Sequence, residues 1–264
     1  VTAVGSLLSE YRKRNHLSQL DLGMMADVSA RHISFIETGK SMPSREMLLK
    51  LADTLSLSLH DSNLLLNSGG FAPVFSHFEL GAPEMEPVRE ALTMMLEKQN
   101  PFPALVLDGD WNILMINAGQ QFLAQQLAIK PKEDGSNNLL ELVFDQDCYR
   151  PHIANWEEVA GNLLRRLRRQ MLAYSKPSHI ALFKKLLSMT PPPDWQQPDY
   201  QSQERPILTV NIRVGDQTLK MFSTLSQFGT ALDVGTEEIL IENYFPADES
   251  SRAFFPKRAD EFLI

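Results

Sequence analysis

The sequence predicts two domains, a small all-helical one followed by a larger α+β one in which helices pack on one face of an antiparallel sheet. Three observations predict it. Residues 17–51, LSQLDLGMMADVSARHISFIETGKSMPSREMLLKL, hold two short helical segments around a sharp turn. Asn67-Ser68-Gly69-Gly70 then stops the helical stretch. Beyond it come two apolar strands, a helical middle and three further strands.

Taken in order, Ser18 can cap a helix whose apolar Leu20, Leu22, Met25 and Ala26 are expected to face inward. Ser29 can cap the next, where Ile33 and Ile36 sit three apart on the buried side. Asp27-Val28 makes the turn between them. This is the pattern of a helix-turn-helix, whose second helix enters the DNA major groove. Gln19, the helix from Ser29 to Ile36, Glu37-x-Gly39-Lys40 and the following Pro43-Ser44-Arg45-Glu46 resemble the phage repressor and Cro type, or XRE family, over roughly residues 4–66. The resemblance implies a bundle of five helices, the first over 5–15, the fourth over 44–55 and the fifth over about 59–66.

The same resemblance puts Ser29, Ala30, Arg31, Ser34 and Phe35 on the outward side of the second motif helix. It puts Gln19 and Thr38 at phosphate positions, with Lys40 and Arg45 as additions. Arg31 is the best candidate for a base edge, because a guanidinium matches guanine in a two-toothed geometry. Phe35 either packs on a thymine methyl or belongs to the core. The resemblance also implies an ion pair between Arg12 and Glu37, a structural rather than catalytic role for Glu37.

The net charge of -8 argues against a polyanion partner only until its distribution is considered. Residues 1–66 carry seven Lys/Arg and seven Asp/Glu, so the excess acid lies in the rest of the chain. A neutral DNA-binding unit implies weak non-specific binding, with affinity recovered by dimerisation. The single cysteine, Cys148, excludes an intramolecular disulfide and fits a reducing cytoplasm. No stretch is long and apolar enough to span a membrane, and no signal peptide is visible.

After the stop, a Pro-containing linker over 69–87 leads to a helix over 88–99 with Val88, Leu92, Met95 and Leu96 on one side. Apolar runs at 102–107 and 111–116 flank Asp108-Gly109-Asp110, a hairpin signal. Helices are expected over 118–128, 138–143, 155–174 and 179–188, and a loop over 190–206. Strands follow over 207–214, 219–226 and 238–245, with Gly215-Asp216 joining the first two. Two strands, helices, then three strands is the order of PAS-type sensors. NPFPALVLDGDWNILMINAGQQFL, NWEEVAGNLLRRLR and FSTLSQFGTALDVGTEEILIENYFPAD together resemble the MmyB-like ligand-binding domain, over roughly 88–250. That resemblance implies a PAS-like fold and a small-molecule sensor, with fatty-acid-like ligands among the options. The expected domains are thus 1–68, a linker over 69–87, 88–250, and a tail over 251–264.

A pocket between sheet and helices would be apolar with a few polar anchors. Its candidates are Phe102, Leu105, Leu107, Leu114, Ile116, Trp156, Leu163, Leu167, Leu208, Val210, Met221 and Phe222, although alternation alone does not say which strand face looks inward. Arg165, Arg166, Arg168 and Arg169 form a basic run that is either a solvated face or supplies one partner for a carboxylate head group. Asn117 fits a turn better than a ligand contact. Cys148 and His152 sit four apart, weak evidence for metal, and no cofactor is expected. Phosphate-loop, HExxH, CxxC and GxSxG signatures are absent, so no enzyme is expected. The expectation is a cytoplasmic, homodimeric transcription regulator that binds a palindromic duplex operator and a small apolar or amphipathic ligand. The alternative keeps DNA binding but makes the second domain a dimerisation or protein-interaction module without a ligand.

Overall fold

The computed structural model describes residues 2–132, 135–174, 176–197 and 207–256. The chain divides into two compact units. One runs to Glu79 and includes Gly229–Glu237; the other holds Leu80–Phe228 and the chain from Glu238 onward.

The first unit is a bundle of five helices, α1 (Ala3–Arg14), α2 (Gln19–Met25), α3 (Ala30–Glu37), α4 (Arg45–Thr54) and α5 (Leu59–Ser68). Each starts on a side-chain cap: Thr2, Ser18, Ser29, Ser44 and Ser58 accept from an N–H of the first turn. Ser18 and Asp21 cap reciprocally, which fixes where α2 begins. Asp27, at φ 49°, makes the turn into α3. Val4, Leu8, Leu22, Ala26, Ile33, Ile36, Leu48, Leu51, Leu65 and Leu66 form one core. Gly5 and Gly23 allow the helices to close: a Cβ on Gly5 would stand 2.5 Å from the Ile36 carbonyl oxygen, and one on Gly23 2.5 Å from that of Val28. The inward expectation for α2 needs correcting. Leu22 and Ala26 are buried, but Leu20 and Met25 are 60% and 59% exposed. Seven residues make only two turns, and one i, i+4 pair suffices to seat them.

The stretch after α5, expected as linker, packs with the bundle. Asn63 donates to the Phe75 carbonyl at 2.7 Å and accepts from the Val74 and Phe75 N–H groups at 3.0 and 3.1 Å.

The second unit begins with α6 (Glu86–Gln99) and is built on a five-stranded antiparallel sheet in the order β2-β1-β5-β4-β3. Its strands are β1 (Ala104–Leu107), β2 (Ile113–Ile116), β3 (Val210–Val214), β4 (Gln217–Ser226) and β5 (Leu240–Pro246). Asp108 closes the β1–β2 hairpin by accepting from the N–H groups of Asp110 and Asn112, both at 2.9 Å. On one face lie α7 (Ala118–Gln126), α8 (Leu139–Phe144), α9 (Trp156–Tyr174) and α10 (Pro177–Ser188), whose Leu123, Leu139, Leu140, Leu164, Leu167, Leu182 and Leu186 pack with Leu105, Leu107, Leu219 and Met221. Asn117 caps α7 and spends its whole amide on backbone, including the Ala104 N–H at 2.9 Å and the Phe102 carbonyl at 2.8 Å. A short helix, α11 (Val234–Glu238), sits between β4 and β5; its Gly-Thr-Glu-Glu composition gave no periodic signal. Residues 251–256, expected as tail, complete α12 (Glu249–Phe254) and bury Phe255 against Phe102, Phe122 and Met221. Residues 198–206 of the expected loop and 257–264 of the expected tail lie outside the described residues.

Candidate functional site

Two sites emerge, one in each unit. In the first, α3 is held from behind. Arg12 on α1 donates to both carboxylate oxygens of Glu37, at 2.7 and 3.0 Å, and to the Leu17 carbonyl at 2.6 Å. Gln19 adds a third hydrogen bond to Glu37 at 2.8 Å. Burial alone would raise the Glu37 pKa, but these donors hold it below the ordinary carboxylate value. Its bonded amide makes Gln19 a brace for α3. The open side of α3 carries Ala30, Arg31, Ser34 and Phe35, with Thr38 and Lys40 just beyond. Ser29 is spent on the α3 cap, accepting from the His32 N–H at 3.2 Å. Thr38 hydrogen-bonds the Ser34 carbonyl at 2.7 Å. Phe35 is half-buried, and the Arg31 and Lys40 cations lie over its ring at 5.2 and 5.7 Å. One ring thus steadies two cations on an exposed helix face. Arg45 is exposed at the start of α4.

In the second unit a cavity of about 280 Å³ opens between the sheet and α7, α8 and α9. Leu105, Leu163, Leu208, Val210 and Met221, all expected there, line it. Seven other candidates lie elsewhere, for identifiable reasons. Leu114 and Ile116 fall on the half-exposed phase of β2, each 38% exposed. Phe222 points to the opposite face of β4 and stacks on Phe245 at 5.5 Å. Leu107 and Leu167 are sealed in solid core beside Trp111. Phe102 packs edge-on against Phe255 at 5.6 Å. Trp156 donates to the Val143 carbonyl at 3.0 Å and packs on Phe144.

Residue order along α9 selects one of the four arginines. Val159, Leu163 and Arg166 recur at helical spacing and face the cavity. Arg165 instead binds the Trp195 carbonyl at 3.0 Å, and Arg168 lies over the Trp195 ring. The Arg166 guanidinium stacks on Trp111 at 4.6 Å and hydrogen-bonds no other described residue. Facing it across the cavity is Glu242, at the centre of the sheet and paired with Leu105 on one side and Leu225 on the other. Burial raises the Glu242 pKa against the hydrogen bonds from Ser223 and Tyr244 and the field of Arg166. Burial and the neighbouring Glu242 likewise raise that of Tyr244, while burial lowers that of Arg166. Charge in an apolar strand is the one signal that marks Glu242 in the sequence, where ILIENYF would otherwise be simple core.

Glu242 has a measurable consequence. With its folded pKa raised, its contribution to stability is complete below the unfolded carboxylate pKa and is lost as pH rises through the folded one. Glu242→Gln is expected to flatten that decline, read from tryptophan fluorescence during thermal unfolding across weakly acidic to neutral pH. An unchanged slope would exclude Glu242 as its source. His152 also lines the cavity, while Cys148 is buried and burial raises its thiol pKa. Among the described residues no three His, Cys, Asp or Glu side chains converge as a metal would need.

Residues 8–61, which hold α3 and its brace, match the helix-turn-helix family model. No curated protein matches the chain. The cavity and its sheet fall within residues 88–256, which match the model of the MmyB-like transcription regulator ligand binding domain. That match covers more than half of the sequence, so the chain belongs to the family of transcription regulators built on this ligand-binding domain.

Proposed function

We propose that this regulator reads a palindromic operator as a homodimer and that its cavity takes a small amphipathic carboxylic acid of fatty-acid type. One observation carries the ligand reading: the Arg166 guanidinium faces an otherwise largely apolar cavity with no hydrogen-bonding partner among the described residues. A carboxylate presents the two acceptors that such a fork matches, and the apolar walls suit a hydrocarbon chain. At about 280 Å³ the cavity favours a medium-length chain over a long one. It also weighs against the alternative of a solid-cored interaction module, which would need no such space. Dimerisation follows from the short stretch of groove that one helix can reach.

The test is gentle purification followed by denaturing mass spectrometry of the small molecules released. A stoichiometric carboxylic acid is expected. An empty protein whose thermal stability is unmoved by added fatty acids would favour the interaction-module alternative. On the DNA side, Arg31 and Phe35 are the contacts proposed to specify sequence, and Thr38, Lys40 and Arg45 those proposed to hold phosphate. Arg31→Ala is expected to weaken operator binding by about 1–3 kcal/mol and to relax base preference at one position. Selection from random duplexes followed by mobility-shift titration would show it. Undiminished preference at every base would remove Arg31 from base recognition.

A further inference from the structure

We propose that the turn Gly229–Glu237 reports the state of the cavity to the reading helix, with Asp233 and Glu237 as its positioning residues. The proposal concerns regulation of the site described above and rests on that ligand reading. The turn connects β4 to β5, yet it belongs to the compact unit of the helical bundle. Three hydrogen bonds hold it there. Asp233 Oδ2 accepts from the Phe78 N–H at 3.1 Å, the Val234 N–H donates to the Ser76 carbonyl at 2.8 Å, and Glu237 Oε2 accepts from the Leu59 N–H at 2.8 Å. The approach is close enough to require glycine: a Cβ on Gly235 would lie 2.4 Å from the Phe78 carbonyl oxygen. Asp233 also closes its own turn, Oδ1 accepting from the Thr236 N–H at 2.6 Å, so the docked piece holds its shape.

Both ends of this piece are cavity wall. Ser223 and Leu225 of β4 line the cavity just before it, and Glu242 and Tyr244 of β5 just after it. Its docked side leads to α3 through bonded neighbours. Leu59 opens α5, so Glu237 satisfies an N–H that has no partner within the helix. Asp61 of α5 accepts from the Tyr11 hydroxyl of α1 at 3.1 Å. The next residue of α1, Arg12, grips Glu37 at the end of α3. A change in β4 and β5 on filling the cavity therefore acts at the base of the reading helix, provided the ligand favours one arrangement over the other.

A merely structural turn would affect stability and basal DNA affinity without touching the response to ligand. The intact protein separates the two. The probe is decanoate, and the DNA is an operator selected from random duplexes with the wild type. Wild-type operator affinity is expected to change about fivefold or more on saturation with decanoate. Asp233→Ala and Glu237→Ala are expected to bind decanoate like the wild type, while their operator response falls below about twofold. Asp233→Asn keeps one acceptor oxygen, which can serve the Phe78 or the Thr236 N–H but not both, and is expected to restore part of it. Either alanine variant binding decanoate and keeping the full response would overturn the proposal, as would a wild type that binds decanoate with no change in operator affinity. If the wild type binds no decanoate, the fatty-acid reading fails, and Leu163→Trp fills the cavity instead. Altered hydrogen exchange at the Leu59 and Val234 amides in that variant sustains the role of the turn, and unaltered exchange overturns it.

Discussion

Arg12→Ala is expected to destabilise the helical bundle by about 3–5 kcal/mol, the cost of stranding a buried carboxylate. Arg12 and Glu37 are 8% and 7% exposed, and the pair joins α1 to the end of α3. Without the guanidinium, Glu37 keeps the Gln19 amide and the Ser9 hydroxyl but loses the charge that balances it. Domains of this size have total stabilities of only about 5–15 kcal/mol, so DNA binding should fail at moderate temperature. All three tryptophans lie in the sheet-bearing unit. Circular dichroism should therefore show helix loss while tryptophan fluorescence still reports a folded cavity domain. Replacing both partners, Arg12→Met with Glu37→Leu, should recover most of the loss, since no charge is then left buried. The pH dependence has the opposite sign to that of Glu242. The folded pKa of Glu37 is depressed, so its contribution is complete above the unfolded carboxylate pKa and fades as pH falls through the folded one. Arg12→Ala unfolding with wild-type stability would show that the pair only orients α3.

Arg166→Leu is expected to weaken decanoate binding about 10–100-fold, from loss of charge-assisted hydrogen bonds worth about 1.5–3 kcal/mol. Leucine keeps the cavity apolar, so the loss should fall on the head group and not on the fold. Arg166→Lys should recover only part of it. An ammonium restores the charge but not the planar fork or its stacking on Trp111. Calorimetric titration reads both variants, and decanol, with no carboxylate, supplies the control. Equal affinity of wild type and Arg166→Leu for decanoate would place the head group elsewhere, with the Glu242, Ser223 and Tyr244 cluster next to consider.

The helical bundle was legible because its signals are local. Ser18 and Ser29 cap the helices their positions suggest, and Ile33 and Ile36 are buried as their spacing implies. What local spacing misjudged was how much of a short helix must be covered, hence Leu20 and Met25 in the open. The sheet domain was legible in its order of elements but not in its strand phase. Leu114 and Ile116 have side chains that would suit any core, and Ile116 even pairs with Leu105, but β2 is the edge of the sheet and leaves each of them 38% exposed. The same limit hid Glu242 and left Arg166 undistinguished from its neighbours in the basic run. A hydrophobicity pattern finds walls, whereas the groups that confer selectivity in a cavity are those that break it. The docked turn at 229–237 was beyond reach for a further reason, since its partners Leu59, Ser76 and Phe78 are more than 150 residues away in the chain.

The two sides of α3 have different obligations. Ile33, Ile36 and Glu37 answer to the core and to Arg12, while Ala30, Arg31, Ser34 and Phe35 lie outside the buried core. If the open side meets the groove as proposed, substitutions there would cost the fold less than those on the other side, and lineages could diverge in the promoters they serve while inheriting one scaffold.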